Sequence, residues 1–242
     1  MKGWRMAAIL LSVFTIGCLA LGVSIATSGG GDSRPYKKSR MPAKKGVRTD
    51  PIDWEKLKKE NPDIYAWIEI PGTVVDYPVL QSADGKPEDY YLNHDYRGSY
   101  GIAGSIYSRK GTAEDFTDPV TVLYGHNMAN GSMFAGIRKF EDPDFFRKHE
   151  TVYIYLPGRV LSYRVLAYYV AGSGHIKEAW HPERKDGFTA YGKEILSGKY
   201  GGCRREKGEL PASGEILTLS TCSSGNSRRY LQSILIKELK TE

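Results

Sequence analysis

The hydrophobic pattern divides the chain into an uninterrupted apolar run, a polar stretch and a long region of short alternating runs. Residues 6–26 carry no charged side chain. At about 1.5 Å per residue they span roughly 30 Å, the thickness of a bilayer's hydrocarbon core. The apolar region of a cleaved signal peptide has only about 7–15 residues. The pattern therefore predicts a transmembrane anchor at 6–26 after a short N-terminal tail at 1–5, with a cleaved signal peptide as the alternative.

The polar stretch covers residues 27–50 and is rich in Gly, Ser, Pro and Lys. Such a composition buries no core, so it predicts a flexible stalk. Its basic side chains are typical of a solvated linker, and contact with anionic lipid head groups is a more specific option. The remaining residues, 51–242, are then a single folded domain.

Short runs of β-branched and aromatic residues, separated by turn residues, fill this domain. The Pro-Gly pairs at 71–72 and 157–158 mark turns, and the second predicts a hairpin. Helical patterns are few. Strands are predicted at 65–70, 74–80, 105–108, 120–125, 151–156, 161–170, 214–222 and 228–239, and helices at 51–60, 132–140 and 187–198. Many short strands with turns between them predict a mainly β fold, either a barrel or a sandwich.

The charge distribution argues against nucleic-acid binding. The chain has a net charge of +6, but residues 1–48 hold nine basic side chains and one acidic side chain. The folded domain is therefore slightly acidic, whereas a nucleic-acid-binding domain carries a basic face of its own.

The cysteines leave two chemical options open. Cys18 lies in the apolar run, so only Cys203 and Cys222 remain for a disulfide, and no spacing is typical of a zinc site. The alternative is a functional free thiol. Cys222 ends a predicted strand, where a side chain is held rigidly beside an open loop. A buried structural cysteine is the competing interpretation.

A nucleophilic thiol needs a base and a group that stabilises negative charge. Among five histidines, His126 alone follows an apolar strand and a glycine, so it also lies at a strand end. Arg228 and Arg229 begin the last predicted strand, and alternation lets only one of them face the same groove as Cys222. The competing interpretations are a structural histidine and a surface arginine.

Several segments together resemble the class B sortases, over about residues 52–240. They are TLSTC at 218–222, LYGHNM at 123–128, RYLQSILI at 229–236, and the longer stretches 61–81 and 89–107. The resemblance implies an eight-stranded sortase-type β-barrel with an N-terminal helical addition. It also implies a helix within 176–200, in the connection before the nucleophile strand. The loop between Cys222 and Arg229 is shorter than the class B pattern.

The resemblance implies a reaction and a location. A Gram-positive cell-wall transpeptidase cleaves a surface protein's C-terminal sorting signal, often NPxTN-like, at Thr through a cysteine thioester. The acyl group passes to an amine, on a peptidoglycan cross-bridge or on a pilin lysine. The resemblance places the tail at 1–5 in the cytoplasm and the catalytic domain outside, anchored in membrane lipid by its N-terminal helix. By the positive-inside rule alone, the basic stalk favours the opposite orientation, with the stalk on the cytoplasmic side.

The resemblance also implies residue roles. Cys222 is the nucleophile, His126 the general acid and base, and Arg229, favoured over Arg228, the oxyanion support. Ser220, Thr221 and Leu92 are expected to contact the substrate, and no metal or cofactor is expected. A hydrolytic thiol peptidase is the rival enzyme, and a non-catalytic wall-binding module with a structural Cys222 is the rival from another class.

Overall fold

The structure is a computed structural model that describes residues 52–176, 180–181, 184–205, 214–223 and 225–241. The predicted tail at 1–5, anchor at 6–26 and stalk at 27–50 lie outside the described residues. Within the described ranges, no helix is both long and apolar enough to cross a bilayer.

Nine strands make up the sheet of the described residues. They are β1 Ile64–Glu69, β2 Asp76–Gln81, β3 Ile106–Ser108, β4 Val120–Tyr124, β5 Thr151–Leu156, β6 Arg159–Gly172, β7 Cys203–Arg204, β8 Ile216–Cys222 and β9 Ser227–Lys240. The helical elements are α1 Trp54–Glu60, α2 Pro143–Lys148, α3 Gly187–Leu196 and two 3-10 helices, Tyr90–Leu92 and Phe134–Glu141.

The sheet closes into an eight-stranded barrel. Its strands follow the order β5-β1-β2-β3-β4-β8-β9-β6, and β6 pairs back onto β5 to complete the ring. The short strand β7 adds to the outer part of β6 and lies outside the ring. Two pairs, β2–β3 and β4–β8, are parallel, and the other pairs are antiparallel. The predicted mainly β barrel is therefore confirmed.

The helices agree in part with the sequence patterns. Helix α1 begins at Trp54 because the Asp53 side chain caps it by accepting from Lys56 N, and Asn61 ends it. Helix α3 lies in the connection before β8, as expected. The helix predicted at 132–140 is the 3-10 helix Phe134–Glu141. Helix α2 and β7 were not predicted, because six and two residues are too few to show a periodicity.

Two hydrophobic clusters lie on opposite faces of β8. Leu217 and Leu219 point into the barrel, where they pack with side chains from the other strands of the ring. Ile216 points outward, into a second cluster that α3 covers with Tyr191 and Ile195. Because side chains alternate along a strand, Thr218, Ser220 and Cys222 share the outward face with Ile216.

Candidate active site

The parallel pairing of β4 and β8 places His126 and Cys222 at one edge of the barrel. Parallel strands end at the same edge of a sheet. The register pairs Tyr124 with Ser220, and Gly125 N donates to Ser220 O at 3.3 Å. His126 and Cys222 each follow two residues after this pair. Two residues that are 96 positions apart in sequence thus reach the same edge from neighbouring strands.

The thiol of Cys222 is free and accessible. All the residues of β8 before it are buried, and Cys222 is exposed. Cys203 is also a free cysteine; it lies on β7, where its thiol faces the carbonyl of Glu141 at 3.7 Å. The disulfide between these cysteines, left open by the sequence, is therefore absent. A rigid strand that ends in an exposed thiol is suited to nucleophilic attack.

The two arginines take different faces of β9. The antiparallel register pairs Cys222 with Arg228 and Thr221 with Arg229, so Arg228 shares the outward face with Cys222. Arg228 Nη1 lies 3.7 Å from Cys222 Sγ. Arg229 Nη1 donates instead to the main-chain carbonyl of Cys222 at 3.3 Å. In this register the short hairpin places Arg229 on the face opposite Cys222, and the catalytic role expected for Arg229 stays a prediction.

Arg229 points toward the barrel interior, near Tyr168. Burial raises the pKa of the Tyr168 phenol, and the positive charge of Arg229 opposes that shift. A hydrogen-bonding contact between the Arg229 side chain and the Tyr168 phenol also lowers that pKa. The charge of Arg229 thus lies on the side of the strand away from the Cys222 thiol.

An aromatic wall borders the thiol on the β4 side. The rings of Tyr107 and Tyr124 are 5.6 Å apart, and the Arg109 guanidinium lies 5.2 Å from the centre of the Tyr124 ring. Burial raises the pKa of Tyr107 to about 12 and also raises the pKa of Tyr124, while Arg109 and Arg228 oppose both shifts. The wall is thus made of neutral phenols, and Arg109 and Arg228 are near enough to lower their pKa values.

The 3-10 helix Tyr90–Leu92 packs in the same hydrophobic cluster as Tyr107 and Tyr124. The half-buried imidazole of His126 lies against it, with Nε2 2.8 Å from the main-chain carbonyl of Leu92. The histidine is therefore held between strand β4 and this helix.

The predicted substrate contacts lie in three different environments. Ser220 is on the face of Cys222, and its buried hydroxyl has no hydrogen-bond partner among the described residues. Thr221 is fully buried and shares the interior face with Arg229. Leu92 is half-buried beside His126. Their roles in substrate binding stay predictions.

Sequence reasoning missed the position of Arg228 and the wall of Tyr107, Tyr124 and Arg109. The register of the hairpin decides which of the two arginines shares a face with Cys222. That register depends on the turn, in which Ser223 N donates to Ser227 O at 2.9 Å. Over the parts of the chain that are described, no three His, Cys, Asp or Glu side chains are grouped so as to hold a metal ion.

The chain matches known proteins over most of the domain just described. The sortase domain family matches residues 68–237. "Sortase B" of Listeria monocytogenes is 36% identical over 171 residues, which is 69% of this chain and 66% of that protein. "Sortase B" of Staphylococcus aureus is 34% identical over 99 residues, 41% of this chain and 39% of that protein. The chain thus aligns with slightly less than two thirds of the first relative and a smaller part of the second.

Solved structures agree with the sequence matches. Sortase B from Clostridium perfringens has a TM-score of 0.68 and 31% identity, over 76% of this chain and 100% of that one. A sortase B–substrate complex from Staphylococcus aureus has a TM-score of 0.66 and 26% identity, over 76% and 84% of the two chains. With the closed barrel and the thiol at its edge, these matches lead to one assignment: the chain belongs to the sortase family, as a member of class B.

Proposed function

We propose that this protein cleaves a C-terminal sorting signal at Thr and transfers the surface protein to an amine acceptor. One observation carries the proposal above all others. The exposed Cys222 thiol ends a buried strand, with a guanidinium 3.7 Å away and His126 at the same edge. A nucleophile, a base and a fixed positive charge are the parts that acyl transfer requires.

The reaction proceeds in two halves. In the first, Cys222 gives its thiol proton to His126 as Sγ attacks the Thr carbonyl carbon, and His126 passes that proton to the leaving amine as the C–N bond breaks, which leaves a thioester. In the second, the incoming amine attacks the thioester and gives a proton to His126, and the thiol leaves with the product amide formed. Protons and bonds balance over the cycle, so the reaction consumes no oxidant, reductant or further co-reactant.

The oxyanion of each tetrahedral intermediate needs a positive group beside the thiol. The contact between Arg228 and Sγ supports Arg228 for this role, whereas the resemblance favours Arg229. We assign the oxyanion to Arg228. The contact of Arg229 with the Cys222 carbonyl supports a different role, which is to hold the end of β8 in place. If Arg229 has the catalytic role, its side chain must turn from the interior face to the outward one.

The substrate lies at this edge of the barrel, over Cys222 and against the cluster that Leu92 forms with Tyr107 and Tyr124. Half-buried Tyr124 and Leu92 offer apolar surface, and a role for the Ser220 hydroxyl needs a shift that exposes it, because it is buried. These features suit a short extended peptide of the NPxTN-like kind. The structural match to a sortase B–substrate complex supports a sorting signal as the partner. A role for Thr221 needs its main chain, since its side chain is buried.

The acceptor and the location follow from the family. The acceptor is the amine of a peptidoglycan cross-bridge, with a pilin lysine as the second candidate. The charge-free run 6–26 supports a single-pass anchor in the cell membrane, with the catalytic domain outside and the tail at 1–5 in the cytoplasm. The basic stalk then lies close to the lipid head groups.

A cleavage assay on a library of sorting-signal peptides tests the proposal. We expect cleavage at Thr, faster turnover with an added triglycine-like amine, and a ligated product. Cys222→Ala should abolish cleavage while the protein stays folded. Cys203→Ala is the matched control, since that thiol lies on β7 away from the groove, and it should keep full activity.

Two outcomes would favour the rivals. Hydrolysis product alone, with every amine tried, indicates a thiol peptidase. No cleavage by the native chain, with wall binding kept and with Cys222→Ala less stable, indicates a non-catalytic wall-binding module.

A further inference from the structure

The main-chain carbonyl of Leu92 is the acceptor that the His126 ring contacts. We propose that this carbonyl fixes the tautomer and orientation of His126, and that Gly104 is required to keep the carbonyl in place. The inference rests on the proposed acid–base role of His126. It makes Leu92 and Gly104 positioning residues, with no contact of their own to the reacting atoms.

A carbonyl oxygen only accepts hydrogen bonds, so the imidazole nitrogen that faces it must carry a proton. At 2.8 Å from Leu92 O, His126 Nε2 is therefore the N–H nitrogen, and Nδ1 keeps its lone pair for proton transfer. In many cysteine and serine enzymes a carboxylate or amide side chain orients the histidine in this way. Over the described residues, no side chain hydrogen-bonds to the His126 ring, and the Leu92 carbonyl occupies that position.

The loop that follows the 3-10 helix leaves this one carbonyl available. Ser105 N donates to Tyr91 O at 2.9 Å, and Ser105 Oγ donates to His94 O at 2.9 Å. Gly101 N donates to Asn93 O at 2.9 Å. The neighbouring carbonyls are thus occupied within the loop, and that of Leu92 points to His126.

The start of the 3-10 helix Tyr90–Leu92 is held in place as well. His94 Nδ1 donates to Tyr90 O at 2.7 Å, and the two rings stack with centroids 3.8 Å apart. Tyr91 is fully buried. The carbonyl of Leu92 therefore extends from a helix that is held at both ends, which gives it a defined direction.

Gly104 packs directly against this carbonyl. Its φ is +55°, and a Cβ at this position would lie 2.2 Å from Leu92 O and 2.6 Å from Tyr91 O. Both atoms belong to the main chain, so they cannot turn away as a flexible side chain would. Any larger residue must displace the carbonyl that His126 contacts.

Gly98 supplies a matched control in the same loop. Its φ is +82°, so an alanine there carries a similar backbone strain. Its Cβ would meet only the Tyr90 hydroxyl, at 3.6 Å, which is an ordinary contact. Comparing Gly104→Ala with Gly98→Ala therefore separates displacement of the Leu92 carbonyl from the general cost of a positive φ.

The experiment combines ¹⁵N NMR of the His126 ring with peptide-cleavage kinetics. In the native protein at alkaline pH, where imidazoles are neutral, we expect the Nε2–H tautomer, with the signal assigned by its loss in His126→Gln. Gly104→Ala should give a mixed tautomer and a kcat lower by about 100-fold, the scale of a misplaced catalytic group. Gly98→Ala should keep the native tautomer and the native kcat.

The outcomes separate this inference from the proposed function. A native enzyme that cleaves peptide with an Nδ1–H tautomer at His126 overturns the inference alone. So does a folded Gly104→Ala variant with native kcat and tautomer. If Gly104→Ala does not fold, the tautomer of the native protein decides by itself. A native chain that cleaves no peptide contradicts the proposed function, whatever the tautomer.

Discussion

At the scale of single residues, the main feature is a pair of adjacent arginines with different neighbours. Arg228 lies against the Cys222 thiol, and Arg229 contacts the carbonyl of the same residue. One step along a strand turns a side chain to the other face of the sheet. The two guanidinium groups are therefore available for different tasks, although they are neighbours in sequence.

The account predicts unequal effects for the two arginines. Arg228→Ala should lower kcat by about 100-fold or more, the usual loss when one oxyanion-stabilising group is removed. Arg229→Ala should lower kcat by less than about 10-fold, and it should reduce the free energy of unfolding by about 1 kcal/mol through the lost hydrogen bond. Steady-state kinetics and thermal melts of both variants measure these effects. A folded Arg228→Ala variant with native kcat, beside an inactive Arg229→Ala, would establish Arg229 as the catalytic arginine.

At the scale of elements, a buried carboxylate joins the turn after α1 to the 3-10 helix that holds His126. Asp63 accepts from the Tyr91 hydroxyl at 2.7 Å and from Lys86 Nζ at 2.6 Å. Asn61 Nδ2 donates to the same Tyr91 hydroxyl at 2.8 Å. Burial by itself raises the pKa of Asp63, but the hydrogen bonds from Lys86, Tyr91 and Ala83 together hold that pKa below its ordinary value.

This pKa shift predicts a pH-dependent contribution to stability. A carboxyl whose pKa is lower in the folded state stabilises the fold above the unfolded pKa of about 4, and that stability is lost as the pH falls through the folded pKa. Asp63→Asn should therefore lower the free energy of unfolding at pH 7 by about 1–3 kcal/mol, the cost of weakening hydrogen bonds to a charged group. The difference from the native protein should shrink below pH 4. Urea unfolding at a series of pH values measures both effects.

Asp84→Asn is the control for this prediction. Asp84 is fully exposed, and its cation, Lys110, lies 3.9 Å away. An exposed pair of this kind contributes little to stability. If Asp63→Asn and Asp84→Asn lose equal stability, the Asp63 carboxylate does not stabilise the fold as proposed. The same conclusion holds if the loss in Asp63→Asn does not change with pH.

At the scale of the whole molecule, the sequence predicted that Cys222 and His126 lie at strand ends. It did not predict which groups from other strands and helices contact them. Alternation along 214–222 and the glycine before His126 indicated where Cys222 and His126 lie. The face of Arg228 depends on the register of the hairpin, which the sequence alone leaves open. The Leu92 carbonyl was beyond sequence reasoning, because a main-chain atom carries no residue-type signal. The pairing of β4 with β3 and, in parallel, with β8 places Tyr107, Tyr124 and the thiol at one edge.

The most direct test of the central claim is to trap the acyl group on the enzyme. We expect intact-mass spectrometry with a sorting-signal peptide, and no amine, to show an adduct that maps to the peptide containing Cys222. The adduct should disappear when a triglycine-like amine is added, with ligated product in its place. It should be absent from Cys222→Ala and present in Cys203→Ala. Peptide cleavage with an adduct on Cys203, or cleavage that persists in Cys222→Ala, would contradict the account.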